Sequence, residues 1–197
     1  AAPCAISVKT RIGYGSADEW SALLELFSRY PISELTVHPR TRRELYGGVP
    51  HREAFAQALK SAPFPCVYNG DLRTKADCTT LMREYPGTAV LMIGRGLVSN
   101  PALGREVMGG APLSREDLVS FHDKLLAAYL EAWPKNAVIG HMHEIMKHVA
   151  AQFTDTQKPV KALRKATTLE AYEDAARRLL DCPFRGDDPD APAAQDD

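Results

Sequence analysis

Short apolar runs alternate with amphipathic stretches along the first 107 residues. The runs fall at 5–8, 34–37, 66–68 and 89–93, each bounded by polar, Gly or Pro residues. Runs of that length and setting predict buried parallel strands. The segments between them predict helices over 18–29, 52–59, 75–84 and 101–107. In the first, Trp20, Leu23, Leu24 and Phe27 recur at helical spacing. Strand–helix alternation implies a parallel sheet with right-handed crossovers. The expected fold class is α/β, with four units amounting to half of a TIM (β/α)8 barrel, which takes about 250 residues when whole. An open doubly wound sheet is the alternative. No internal repeat is visible at the level of sequence.

Gly109-Gly110-Ala111-Pro112 breaks the rhythm, and no further strand pattern follows. Helices are predicted over 113–133, 137–153, 159–166 and 169–180. Leu118, Phe121, Leu125, Leu126 and Tyr129 line one face of the first, and Pro134 ends it. Ile139, Met142, Met146, Val149 and Phe153 form the stripe of the second. Thr168 is a suitable N-cap for the last, without a full capping box. The reading is therefore a half-barrel over 1–110, an all-α helical bundle over 111–182, and an irregular tail over 183–197.

Composition adds limits. The chain is 45% hydrophobic and 25% charged, an ordinary globular balance. No apolar run approaches the ~20 residues that span a bilayer, and the N-terminus lacks the features of a signal peptide. The four cysteines form no C-x-x-C pair. Cys4 and Cys66 read as small core residues, which fits a reducing, cytoplasmic setting. The net charge of −1 hides five Asp within 186–197, so the rest of the chain carries +4. That tail is acidic, rich in Pro and Ala, and expected to be disordered.

In a (β/α)8 enzyme the active site lies where strands end, so the chemistry is sought at those tips. Lys9 ends the first run, and a buried ammonium there would need an anionic ligand or a carboxylate. His38-Pro39-Arg40 follows the second, offering two hydrogen-bond donors for a phosphate or an electron-rich ring. Asn69-Gly70-Asp71 follows the third; it is ordinary turn chemistry, or a close backbone approach for a ligand. Gly94-Arg95-Gly96 follows the fourth, where a phosphate site would sit.

Taken in order and spacing, Val8-Lys9-Thr10-Arg11-Ile12-Gly13, Val37-His38-Pro39-Arg40-Thr41, Asn69-Gly70-Asp71 and Ile93-Gly94-Arg95-Gly96 resemble the tRNA-dihydrouridine synthase family. The likeness is strong over residues 5–107 and weak beyond. It implies an FMN site: Lys9 at the ring edge near N1 and C2=O, and His38 against flavin and uridine. Asn69, Gly70, Asp71, Gly94 and Arg95 would hold the ribityl-phosphate arm. Arg40 is a further cofactor contact, although Pro39 stands where the family often has Gly. The implied reaction is NAD(P)H-driven, FMN-dependent reduction of the C5=C6 bond of specific uridines in tRNA.

The family's proton-donating cysteine lies in an Asn-x-x-Gly-Cys-Pro segment upstream of the Lys9 strand, and none of the four cysteines here matches it. No catalytic residue is therefore assigned. The chain reads as the C-terminal part of a longer enzyme, inactive alone. The alternative is a non-catalytic RNA-binding module with a vestigial half-barrel. Lys147, Lys158, Lys161, Arg164 and Lys165 are the candidate RNA contacts of the helical domain. His141, Glu144 and His148 share a helical face, but the spacing is too long for H-E-x-x-H, so no metal site is assigned.

Overall fold

The computed structural model describes residues 4–88 and 90–187. Packing divides the chain into two compact units, one ending at Gly94 and one beginning at Arg95. The first unit holds strands β1 (Ser7–Arg11), β2 (Glu34–His38), β3 (Cys66–Tyr68) and β4 (Val90–Leu91). They form one parallel sheet in the order β1-β2-β3-β4. Helices α1 (Trp20–Ser28), α2 (Arg52–Ser61) and α3 (Lys75–Glu84) make the three crossovers.

Register fixes the two faces of the sheet. Val8 lies opposite Leu35, Leu35 opposite Cys66, and Val37 opposite Tyr68. Leu35, Val37, Cys66 and Tyr68 are buried, and the Tyr68 ring meets Phe55 of α2 edge-on at 5.0 Å. This is the helix side of the sheet, joined by buried Trp20, Leu24, Ala58, Cys78 and Leu81. Trp20 ties α1 to α2 by donating its indole N–H to the Ala54 carbonyl at 2.8 Å. Strand alternation sends Lys9, Arg11, Thr36, His38 and Val67 to the other face.

The expected strands and helices are found, with shifts. β1 runs on through Lys9, Thr10 and Arg11 because their backbones pair with β2, although the apolar run has already ended. The last run yields only Val90–Leu91, and Ala89 lies outside the described residues. Cys66 is buried, as expected, but Cys4 is exposed: it precedes β1 and is not a core residue.

The second unit is helical: α4 (Arg95–Ser99), α5 (Leu103–Val107), α6 (Arg115–Ala132), α7 (Lys135–Val149), α8 (Gln157–Lys165) and α9 (Leu169–Leu180). Division by packing comes before the Gly109-Gly110 change of pattern, because α4 packs on α7. Leu118, Leu126, Val138, Met142, Met146, Leu163, Tyr172 and Leu179 form the core. The buried His122 lies 3.0 Å from the Tyr172 hydroxyl through Nε2 and 2.8 Å from Asp123 through Nδ1. Thr168 caps α9 by accepting from Ala171 N–H, without a capping box. The expected tail falls mostly on 188–197, outside the described residues. Residues 183–187 are placed, however: Phe184 is buried and bridges to Phe153, and Arg185–Asp187 form a 3-10 turn.

Candidate functional site

The tips of β1, β2 and β3 bring Lys9, Arg11, His38, Arg40, Asn69 and Asp71 to one end of the sheet. Lys9 and Arg11 lie two residues apart on one face of β1, and Arg11 stands opposite His38. Lys9 is exposed rather than buried. Partial burial and the neighbouring Arg11 still pull its pKa below the ordinary lysine value. Burial, followed by the charges of Arg11, Lys9 and Arg40, lowers the His38 pKa to about 4. His38 is thus a neutral ring in a cationic setting, with Asp71 the one acid acting on it among the described residues.

Arg40 is only 1% exposed and holds the long β2–α2 loop. Its Nε donates to Gly47 O at 2.8 Å, and its Nη2 to Gly48 O and Asp71 Oδ2, both at 2.6 Å. Its Nη1 is buried with no hydrogen-bond partner among the described residues. Asp71 meets this grip with a left-handed backbone, φ 40°. At the far end of the loop Glu44 accepts from Thr41 N–H at 2.6 Å and lies 2.7 Å from His51 Nε2. The Glu44 pKa is lowered to about 2, first by the His51 hydrogen bond, and the same contact raises His51.

The remaining tips are partly occupied by the protein itself. Asn69 donates Nδ2 to the Met92 carbonyl at 2.8 Å, which stitches β3 to the end of β4. A Cβ at Gly70 would lie 3.2 Å from the Tyr68 hydroxyl and 3.4 Å from Pro39 Cδ, so the tightness there is internal. A Cβ at Gly94 would meet nothing within 4 Å. Arg95 opens α4 in the second unit, half-buried and with an interaction of its own. The backbone N–H groups of Tyr14, Gly15 and Ser16 all point at the Glu19 carboxylate, at 2.8–3.0 Å, so that nest is already filled.

Proteins of known family give this arrangement its context. The dihydrouridine synthase (Dus) family profile matches residues 1–184. The chain belongs to the dihydrouridine synthase family. It is 33% identical over 123 residues to a probable tRNA-dihydrouridine synthase 2 of Bacillus subtilis, covering 59% of this chain and 38% of the relative. It is 34% identical over 131 residues to a probable tRNA-dihydrouridine synthase of Staphylococcus aureus, covering 63% and 39%. It is 33% identical over 128 residues to a tRNA-dihydrouridine(16) synthase of Pseudomonas putida, covering 65% and 39%. The chain thus spans 38–39% of the length of these relatives.

Within this Dus chain, Lys158, Lys161, Arg164 and Lys165 are all exposed on α8, whose opposite side buries Leu163. Lys147 is exposed on α7. The His141 ring lies 4.3 Å from that of Trp133, an aromatic contact. No helix among the described residues is long and apolar enough to cross a membrane. Two residues of the cluster, Arg11 and Tyr46, are not among the sequence candidates. Arg11 could have been found, since it shares a strand face with Lys9. Tyr46 could not: its ring reaches Arg11 (5.5 Å) and His38 (6.0 Å) only through the folded loop.

Proposed function

We propose that the chain supplies the flavin-holding strand tips and the RNA-gripping helices of a tRNA-dihydrouridine synthase, with FMN as cofactor, NAD(P)H as reductant and tRNA as substrate. The observation that carries this reading is the cluster of Lys9, Arg11 and neutral His38 at the ends of parallel strands, in a chain of this family. The donors fit the group. Two cations and a leftover buried Arg40 Nη1 suit an anionic phosphate or an electron-rich ring edge. FMN held there would supply hydride for reduction of the uridine C5=C6 bond. Lys9 would contribute positive charge at the ring edge, and His38 would hydrogen-bond without adding charge at pH 7. Asn69, Gly70 and Asp71, with Gly94, are proposed to lie along the ribityl-phosphate arm. Arg40 would act chiefly by holding Asp71 and its own loop, with one nitrogen to offer a ligand.

None of the four thiols is proposed as the proton donor to C5. Cys66 and Cys78 are buried, with pKa values raised by burial, and Cys4 lies outside the cluster's motifs. The half-barrel over 1–110 and the tRNA-binding bundle over 111–182 remain the proposed roles of these stretches. Titration of the chain with FMN, followed by quenching of flavin fluorescence, tests the site. Saturable binding weakened about tenfold or more by Lys9→Ala supports it, on the scale of one charge-assisted contact. Equal binding by both proteins would overturn the role given to Lys9.

A further inference from the structure

Beside the candidate flavin site, two loops form a rim of exposed tyrosines and arginines. The loops are held together backbone to backbone: Arg42 N–H donates to Gly13 O at 2.8 Å, and Arg43 N–H to Tyr14 O at 3.1 Å. A Cβ at Gly13 would stand 2.3 Å from Ser16 O, so only glycine allows this close turn. The pairing sets the Arg43 guanidinium 5.8 Å from the Tyr14 ring centre, and Arg11 stands 5.5 Å from that of Tyr46. Tyr14 is 66% exposed and Tyr46 60%. Each ring therefore has a cation on one side and much of its surface in water.

Presenting Tyr46 strains the backbone. Leu45 adopts φ 54°, a left-handed conformation unfavourable for a residue with a branched side chain, and Gly48 follows at φ 67°. Arg40 stabilises the bend by binding Gly47 O and Gly48 O. Charge points the same way: residues 9–19 and 40–47 contain five bases, Lys9, Arg11, Arg40, Arg42 and Arg43, and three acids, Asp18, Glu19 and Glu44. Glu44 is already bound to Thr41 N–H and His51. Exposed aromatic faces interleaved with basic side chains suit unstacked nucleotides, whose bases stack and whose phosphates pair with guanidinium groups.

Resting on the RNA reading above, we propose that this rim binds the single-stranded nucleotides flanking the uridine. Tyr14 and Tyr46 stack the flanking bases, and Arg42 and Arg43 take their phosphates. A reacting base must leave its stack, and its neighbours then expose the π-faces this rim would receive. The Tyr46 ring, 6.0 Å from His38, places the flanking site next to the flavin site. The test uses the full chain, a fluorescein-labelled uridine-rich single-stranded 12-mer and a duplex of equal length, read by anisotropy. Tyr14→Leu and Tyr46→Leu each weaken binding of the single-stranded probe about tenfold, and the Phe variants bind like the parent. Arg42→Ala with Arg43→Ala makes the slope of log affinity against log salt shallower, by about 0.7 for each phosphate no longer neutralised. Leu variants that bind single strands like the parent, confirmed folded by circular dichroism, would overturn the rim. If Lys158→Glu with Lys161→Glu abolishes binding while the Leu variants do not, RNA binding stands and the rim alone fails. If the parent binds neither probe, both readings fall.

Discussion

Burial, and after it three cations set against one acid among the described residues, determine the chemistry of His38. Its folded pKa of about 4 lies below the ordinary 6.5. Between those values the unfolded chain binds the proton more readily, so acidification destabilises the fold through this group. Denaturant midpoints measured from pH 7 to pH 4.5 should fall more steeply for the parent than for His38→Gln. Parallel curves would contradict the assigned environment. His51 has the opposite sign. Its pKa is raised by Glu44, so its contribution is complete below 6.5 and fades as pH rises through the folded value. Arg40→Lys should destabilise by about 3 kcal/mol in urea melts, because lysine lacks the planar fork that meets two carbonyls and Asp71 together. An unchanged midpoint would remove Arg40 as holder of the loop.

At the scale of elements, capping sets where several helices begin. Ser114 accepts from Asp117 N–H while Asp117 accepts from Ser114 N–H at 3.0 Å, which starts α6. Ser114→Ala should cost about 1 kcal/mol, read as a lower thermal midpoint. The long helices are legible in the sequence from their apolar periodicity, and Thr168 is legible as a cap. The end of β1 is not, because Lys9, Thr10 and Arg11 are polar yet stay in the ladder with β2. Hydrogen-bond pairing outlasts the hydrophobic run there. α4, five residues long, is hidden in the turn chemistry around Gly94 and Gly96, since one turn carries no periodicity to read. The tips themselves are legible as polar residues after apolar runs. Arg40's grip on Gly47 and Gly48 is not, because it depends on a loop closing in space.

For the whole molecule, charge is segregated: basic strand tips in one unit, and a basic face on α8 in the other. Reversing Lys158, Lys161 and Lys165 to Glu should weaken tRNA binding by orders of magnitude at low salt and flatten its salt dependence. Binding insensitive to those changes would separate α8 from RNA recognition. If the tips of β1, β2 and β3 serve one flavin, hydrogen–deuterium exchange of the chain with and without FMN should reveal it. Exchange should slow together in residues 9–13, 38–42 and 69–71. Protection confined to other segments, or none at saturating FMN, would contradict it.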